Sequence, residues 1–338
     1  MHRDGKGKTG KIYFADKRWL NPSTVEVYKT LFPEAGRGIE LENWTTEEDV
    51  LKESGDAEAV LLTNVPITRR VMENAKNLKV VGRCGIGVDT VDIASATALG
   101  VMVCNVPDFC VEEVATHSLA LLLTLDRRLG AYSRLARSGT YGPHPDRPIK
   151  RTQGQTLGLI GYGRIARRLG EMALAVGLDL LVYDPFVELD AGARVRQVFL
   201  DTLLAKSDFV SVHTPLTDST RHLIGKRELG LMNKDAYLVN TSRGPIVDTF
   251  ALIEAVQSGV IAGAGLDVIE GEPVKPDHPV FDVENIIYTP HTAMYSEEAM
   301  LDVHRKSARQ VLDALAGRWP ANVVNPDVRG MWEKKFSA

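Results

Sequence analysis

The sequence predicts an α/β protein made of two doubly wound, parallel-sheet domains. Strand-like and helix-like patterns alternate from Lys11 onward, and they form two successive sets. In the second set a glycine turn joins a strand directly to a helix. A length of 338 residues corresponds to about two domains, and 44% apolar residues are enough for two cores. We therefore expect two sheets, each covered by helices on both faces.

The two sets differ in their number of expected strands. The first set has strands at 11–15, 59–62, 79–82 and 101–104, and the second at 156–160, 179–183, 209–212, 236–240, 263–267 and 286–289. An apolar helical stretch at 111–129 is expected to bridge the domains. The Gly-, Pro- and Arg-rich segment 139–155 is expected to be a surface connection. A long helix from Ser296 to about Gly317 has no strand partner in the second set, so it is expected to return to the first domain.

The segment 158–166 is the most informative part of the chain. An apolar strand enters a turn that contains Gly161 and Gly163 and continues into a helical pattern. Gly161 permits the tight turn, Gly163 lets the backbone approach a pyrophosphate, and the small Ala166 lets the helix lie close to its strand. This pattern is typical of a dinucleotide-binding site.

The flanking residues indicate which dinucleotide is bound. Arg164 and Ile165 begin the helix, whose N-terminal end attracts phosphate. The next expected strand ends in Asp184, where a carboxylate accepts hydrogen bonds from ribose hydroxyls. The residues directly after Asp184 include no arginine for a 2′-phosphate, so the motif predicts NAD(H) rather than NADP(H). The alternative is an ordinary strand–turn–helix unit, which Asp184 disfavours.

Composition excludes several other classes of protein. The net charge is −4, and the sequence has no basic block after the lysine-bearing first eleven residues, so nucleic-acid binding is not expected. An apolar signal region and a run of about 18 apolar residues are both missing, which argues against secretion and membrane insertion. Cys84, Cys104 and Cys110 lack metal-ligand spacing and are expected to be buried thiols in a reducing cytoplasm.

Three charged residues follow expected strands of the second set: Arg243, Glu272 and His291. Open α/β sheets bind ligands at the carboxyl ends of their strands. A guanidinium can hold a carboxylate through two hydrogen bonds, and a carboxylate beside an imidazole stabilises the imidazolium. An imidazolium can protonate a carbonyl oxygen when a nicotinamide hydride reduces a ketone, and neutral imidazole is the base in reverse. Taken singly, the arginine and the histidine are also compatible with structural roles.

The motifs at 241–245, 267–273 and 289–291 resemble those of the D-isomer-specific 2-hydroxyacid dehydrogenases, and the resemblance extends over about residues 55–325. It implies that Arg243, Glu272 and His291 are the catalytic residues. It also implies two Rossmann-like domains with the active site in a cleft between them. The expected boundaries are 1–104 with 298–338 for the substrate domain and 105–297 for the NAD-binding domain. The family further implies a homodimer built around 111–129.

The resemblance implies further binding residues. Thr214 and Pro215, in the segment 213–216, would pack around the cofactor. Three more residues would also contact it: Thr241, Ser242 and Asp267, the last of which would meet the nicotinamide amide. In the segment 83–89, the backbone amides of Gly85, Ile86 and Gly87 would face the substrate carboxylate, because small residues leave such amides unobstructed. A strand-to-helix turn without a ligand is the alternative for that segment.

Within the family, 107–115 and 295–298 resemble the branch of the C-terminal-binding-protein corepressors and their microbial enzyme relatives. Met294 stands where the corepressors carry a tryptophan, which argues against an aromatic substrate wall. The segment 62–66 has no cationic residue, so a phosphorylated substrate is disfavoured unless Arg83 supplies the charge. The sequence therefore predicts an NAD-dependent dehydrogenase acting on a small 2-oxo or 2-hydroxy acid. An NAD(H)-gated interaction protein with little turnover is the alternative, and a formate- or phosphite-oxidising relative is a third possibility.

Overall fold

The computed structural model describes residues 10–143, 148–190 and 192–336. The chain forms two compact units: Met1–Phe109 with Ser296–Ala338 is unit 1, and Cys110–Tyr295 is unit 2. Unit 1 is discontinuous in sequence, whereas unit 2 is one continuous segment. The lysine-bearing N-terminal segment, up to residue 9, and residues 144–147 of the expected connection 139–155 lie outside the described residues.

Both units are built on parallel sheets. The strands of the described residues are, in chain order, β1 (Lys11–Phe14), β2 (Glu40–Leu41), β3 (Ala57–Leu62), β4 (Val80–Arg83), β5 (Met102–Cys104), β6 (Thr156–Ile160), β7 (Asp179–Tyr183), β8 (Val195–Gln197), β9 (Phe209–Val212), β10 (Tyr237–Asn240), β11 (Gly263–Leu266) and β12 (Ile286–Tyr288). Unit 1 has the order β2-β1-β3-β4-β5, with Val60 opposite Val81. Unit 2 has the order β12-β11-β10-β9-β6-β7-β8, with Leu159 opposite Ser211.

Helices connect most of these strands. They are α1 (Pro22–Glu34), α2 (Glu47–Glu53), α3 (Arg69–Asn74), α4 (Ile93–Ala98), α5 (Val111–Asp126), α6 (Leu129–Arg137), α7 (Arg164–Ala175), α8 (Leu200–Lys206), α9 (Lys226–Leu231), α10 (Thr249–Gln257), α11 (Glu297–Leu315) and α12 (Arg329–Lys334). Local sequence explains several helix starts. For example, the Ser296 hydroxyl accepts a hydrogen bond from the Ala299 amide at 2.9 Å and caps α11.

Apolar clusters lie on both faces of the seven-stranded sheet. Successive residues of β10 contribute to different clusters, because side chains alternate along a strand. Leu238 belongs to a cluster that includes Leu252 of α10, and Val239 belongs to one that includes Leu122 of α5. Two parallel sheets covered by helices confirm the predicted fold class.

All ten predicted strands are present, and their observed ends differ from the expected ones by at most two residues. The short edge strands β2 and β8 were not predicted. The expectation of a single helix over 111–129 is wrong: α5 ends at Asp126, Arg128 adopts a left-handed φ of 54°, and α6 begins at Leu129. Both helices belong to unit 2. The long helix after Ser296 is α11, which packs in unit 1, where the Tyr28 hydroxyl lies 2.6 Å from Nδ1 of His304.

Candidate active site

The glycine turn between β6 and α7 has the backbone geometry that a pyrophosphate requires. Gly161 has a φ of 83°, and its amide donates to the Tyr183 carbonyl at 2.8 Å. Gly163 is the N-cap of α7, and a Cβ atom placed on it would enter open space. Arg164 and Ile165 form the first turn of α7, so their amides stand at the positive end of the helix. These residues fit a dinucleotide.

Asp184 lies directly after β7, beside the glycine turn. Its Oδ2 accepts a hydrogen bond from the Tyr162 amide at 2.8 Å, and its Oδ1 accepts one from the Phe186 amide at 2.9 Å. On the edge strand β8, the Gln197 amide group donates to the Asp184 carbonyl at 3.1 Å and to the Val187 carbonyl at 2.6 Å. Each carboxylate oxygen retains acceptor capacity, because it can take more than one hydrogen bond. The carboxylate is therefore oriented and still able to bind hydroxyl groups.

The segment after β9 packs against the same turn. A Cβ atom on Gly161 would lie 3.0 Å from the Thr214 methyl group and 3.0 Å from the His213 carbonyl. The Thr214 hydroxyl is buried and has no hydrogen-bond partner within the described residues, as expected beside a ligand site. Desolvation lowers the pKa of His213 to about 4, so this ring is neutral at pH 7. The Pro215 carbonyl accepts from the Thr220 hydroxyl at 2.7 Å, which closes the loop.

Two of the predicted catalytic residues form a hydrogen-bonded pair. Nδ1 of His291 lies 2.9 Å from Oε2 of Glu272. The other carboxylate oxygen of Glu272 accepts a hydrogen bond from the Ile269 amide at 2.6 Å, which fixes the direction of the carboxylate. Because Nδ1 is engaged by Glu272, Nε2 of His291 is the ring nitrogen available to a substrate.

The buried carboxylate of Asp267 holds the segment that carries His291. Asp267 is 1% exposed. Its carbonyl accepts from the His291 amide, its Oδ1 from the Thr292 amide and its Oδ2 from the Ala293 amide, each at 2.9 Å. The Thr289 hydroxyl also donates to Oδ1, at 2.6 Å. His291 adopts a left-handed φ of 55°, a conformation that costs a non-glycine residue about 1–3 kcal/mol. The hydrogen bonds to Asp267 hold the backbone at and directly after His291 and thereby offset this cost.

Arg243 belongs to the segment that follows β10. Its Nη1 donates to the Ser242 carbonyl at 2.7 Å, and its own carbonyl accepts from the Asn240 side chain at 3.0 Å. The next residue is Gly244, on which a Cβ atom would lie 2.1 Å from the carbonyl carbon and oxygen of Ile269. The Arg243 segment therefore lies in direct backbone contact with the segment that leads to Glu272.

Thr241 and Ser242 are tied to neighbouring elements. The Thr241 hydroxyl lies 2.8 Å from the hydroxyl of Ser118 on α5. The Ser242 hydroxyl donates to the carbonyl of Val212 at the end of β9. These contacts orient the segment before Arg243.

His117 on α5 was not predicted as a site residue. Its Nε2 lies 3.0 Å from the Thr289 hydroxyl and 3.8 Å from Oδ1 of Asp267. It also lines a cavity of about 390 Å³, together with residues that include Thr292 and Tyr295. The sequence carries one signal for it, since His117 and Ser118 are adjacent polar residues within an apolar helical pattern.

The predicted substrate cradle follows β4 in unit 1, whereas the three predicted catalytic residues belong to unit 2. The Gly85 amide donates to the Arg83 carbonyl at 2.9 Å, and the Asn105 side chain donates to the Ile86 carbonyl at 2.7 Å. The Gly85 amide is thus already used within the chain. The amides of Ile86 and Gly87 are the better candidates for binding an anion.

Three further observations concern the part of the chain that the structure describes. Cys84, Cys104 and Cys110 are buried and form no disulfide there. Residues 10–143, 148–190 and 192–336 contain no cluster of three or more metal-binding side chains. Among the helices described, none combines the length and apolar character needed to cross a membrane.

A parallel α/β sheet, a glycine turn at a helix N-terminus and a carboxylate after the next strand define a dinucleotide-binding protein of the Rossmann type. Residues 119–293 match the model of the NAD-binding domain of D-isomer-specific 2-hydroxyacid dehydrogenases, and the chain belongs to this family.

Named relatives and solved structures agree with this assignment. The chain is 37% identical to a glyoxylate reductase of Aeropyrum pernix in an alignment 325 residues long, which covers 90% of this chain and 96% of that protein. It is 36% identical to a D-3-phosphoglycerate dehydrogenase of Methanocaldococcus jannaschii over 291 residues, 85% of this chain but 55% of that protein. The chain thus spans about half the length of such relatives. A D-lactate dehydrogenase from Aquifex aeolicus, complexed with NAD and lactic acid, has a TM-score of 0.84 at 27% identity, over 93% of this chain and 99% of that one.

Proposed function

We propose that this protein is an NAD-dependent oxidoreductase that interconverts a small 2-oxo acid and the corresponding D-2-hydroxy acid. The observation that carries the proposal is the Glu272–His291 pair, with 2.9 Å between Oε2 and Nδ1. It belongs to the same unit as the glycine turn and Asp184. An oriented acid/base group beside a dinucleotide fold suits carbonyl reduction.

The cofactor fit rests on the open space at Gly163 and on the orphaned hydroxyl of Thr214. When bound, NAD(H) supplies or accepts the hydride. The residues proposed to hold it are Gly161, Gly163, Arg164, Ile165, Asp184, Thr214, Pro215, Thr241, Ser242 and Asp267.

His291 is the proposed acid and base. The Glu272 carboxylate accepts the hydrogen at Nδ1, so the transferable proton is at Nε2. In the reducing direction Nε2 gives its proton to the carbonyl oxygen of the 2-oxo acid. In the oxidising direction neutral Nε2 takes the proton of the substrate hydroxyl group.

Arg243 is the proposed partner of the substrate carboxylate and carbonyl oxygen, because a guanidinium offers paired donors to such groups. The amides of Ile86 and Gly87 would add further donors to the carboxylate, with Gly85 shaping the turn. Relatives named glyoxylate reductase and hydroxypyruvate reductase support a small substrate.

We propose that unit 1 is the substrate domain, to which unit 2 adds Arg243, and that unit 2 is the NAD-binding domain, and we expect a cytoplasmic homodimer. The match of residues 119–293 to an NAD-binding domain supports the second role. Size-exclusion chromatography with light scattering would test the dimer, and a monomeric mass would contradict it.

The activity is tested by following NADH absorbance with a panel that contains glyoxylate, hydroxypyruvate, pyruvate, branched and dicarboxylic 2-oxo acids. We expect rapid turnover of at least one acid. His291→Ala is expected to lower kcat by about 10² to 10⁴ while NADH binding, measured by fluorescence, stays intact.

His222→Ala is the matched control, because His222 also pairs with a carboxylate, Oε1 of Glu270, at 2.8 Å. It is expected to keep full kcat. Full turnover by His291→Ala would remove His291 from the mechanism. Tight NADH binding without turnover of any acid would favour the NAD(H)-gated interaction protein instead.

A further inference from the structure

We propose that His117 is a positioning residue for His291: it donates a hydrogen bond to Thr289 and thereby anchors the segment 289–293 to α5. The inference rests on the proposed role of His291 as acid and base. It adds a residue outside the catalytic motifs to the apparatus that sets the geometry of the proton transfer.

The direction of the hydrogen bond follows from the contacts of one hydroxyl group. The Thr289 hydroxyl lies 2.6 Å from Oδ1 of Asp267 and 3.0 Å from Nε2 of His117. A hydroxyl has one hydrogen to donate, and a carboxylate only accepts. The hydrogen of Thr289 therefore goes to Asp267, and His117 must donate from Nε2. The same N–H is 3.8 Å from Oδ1 of Asp267, which also favours a donor there.

This donor is the outer end of a continuous chain of hydrogen bonds. His117 donates to Thr289, Thr289 donates to Asp267, and the Asp267 carboxylate accepts the amides of Thr292 and Ala293. Aligned hydrogen bonds in a buried setting strengthen one another. This series of hydrogen bonds thus connects α5 to the segment in which His291 has a φ of 55°. An unfavourable backbone conformation persists only where its surroundings impose it.

The location of His117 indicates that hydrogen bonding, rather than space filling, is its contribution. Its side chain is 26% exposed and lines an open cavity, so it is not a buried packing residue. The adjacent Ser118 contacts Thr241, two residues before Arg243. Two neighbouring polar residues of one helix therefore reach the two segments that carry Arg243 and His291.

Glutamine and asparagine provide a matched pair of variants. The side-chain amide of Gln reaches the position of Nε2, whereas that of Asn ends at the position of Nδ1. We expect His117→Gln to keep kcat within about twofold and His117→Asn to lower it about tenfold, the rate equivalent of one lost hydrogen bond. KM for the 2-oxo acid and the thermal midpoint are expected to change little in both variants.

Thr289→Val removes the hydroxyl through which His117 acts. Combined with His117→Asn, it should lower kcat no further than the more damaging single change, because both break the same chain. Three outcomes would overturn the proposal: full kcat in His117→Asn, equal losses in the Gln and Asn variants, or additive losses in the double variant.

A second measurement does not depend on turnover. In ¹⁵N NMR spectra of histidine-labelled protein, the His291 ring signals should shift in His117→Asn and stay in place in His117→Gln. Unmoved signals in both variants would refute the positioning role. If the wild type is inactive on all acids but the His291 signals still shift in His117→Asn and not in His117→Gln, only the proposed function is refuted.

Discussion

Acidification from pH 7 to pH 5 is expected to destabilise unit 1 through one buried histidine. His304 on α11 is 3% exposed, and its Nδ1 lies 2.6 Å from the Tyr28 hydroxyl. Burial lowers the pKa of His304 from 6.5 to about 4. Burial also raises the pKa of Tyr28 well above its usual value, so the phenol stays protonated and shares a hydrogen bond with a neutral imidazole ring.

The sign of the effect follows from proton binding. Below pH 6.5 the unfolded chain takes up a proton at His304, whereas the folded chain does so only near pH 4. The stabilisation is therefore complete above pH 6.5 and is lost as the pH falls toward 4. With these pKa values, the free energy of unfolding decreases by about 2 kcal/mol between pH 7 and pH 5, and by about 3 kcal/mol in full.

Tryptophan fluorescence can isolate this effect. All four tryptophans belong to unit 1: Trp19, Trp44, Trp319 and Trp332. Their emission in increasing urea therefore reports the unfolding of unit 1. His304→Asn keeps a hydrogen-bonding group near the position of Nδ1 but does not titrate. The other titrating groups are common to both proteins. The wild type should thus lose about 2 kcal/mol more than the variant between pH 7 and pH 5. If the wild type and His304→Asn lose the same free energy of unfolding between pH 7 and pH 5, the reasoning is refuted.

Three further predictions concern unit 2. Gly163→Ala should leave the urea midpoint of unfolding unchanged, because its Cβ enters open space. It should raise the Kd for NADH about tenfold or more, because the methyl group obstructs the pyrophosphate. An unchanged Kd would contradict the placement of the pyrophosphate at this turn. Gly244→Ala should lower the free energy of unfolding by about 1–3 kcal/mol, because its Cβ would clash with the Ile269 carbonyl. Urea unfolding followed by circular dichroism measures this loss, and a wild-type unfolding midpoint would argue against that contact. Asp184→Ala should raise the Kd for NADH about tenfold to a hundredfold with kcat at saturating NADH nearly unchanged. Equal NADH affinity in fluorescence titrations would exclude Asp184 from the ribose site.

The central strands could be predicted because their sequences are continuous apolar runs buried on both faces. Val210 and Leu238 are fully buried examples in neighbouring strands. The edge strands β2 and β8 have two and three residues and carry charged or polar side chains, so no run marks them. The break between α5 and α6 falls at Arg128, without a glycine or proline. Arg128 is 8% exposed, and local sequence patterns do not mark its left-handed φ.

Motif order singled out Glu272 and His291 as an acid/base pair, and the structure brings their side chains within 2.9 Å. The contact between His117 and Thr289 joins residues 172 positions apart in the chain. The many hydrogen bonds of Asp267 likewise depend on where β11 and β12 end side by side. Such contacts arise from the folded sheet, and a single sequence contains no periodicity that marks them.

The split of unit 1 across the chain determines the order in which the units can be completed during synthesis. Unit 2 is continuous, so it is available for folding once Tyr295 has left the ribosome. Unit 1 must wait for α11, whose Val311 covers Gly82 of β4 and whose His304 meets Tyr28. At ~5–20 residues per second, the surface of β4 that Val311 covers stays exposed for on the order of ten seconds or more. Until then the first segment of unit 1, which ends at Phe109, presents apolar surface of the kind that chaperones bind.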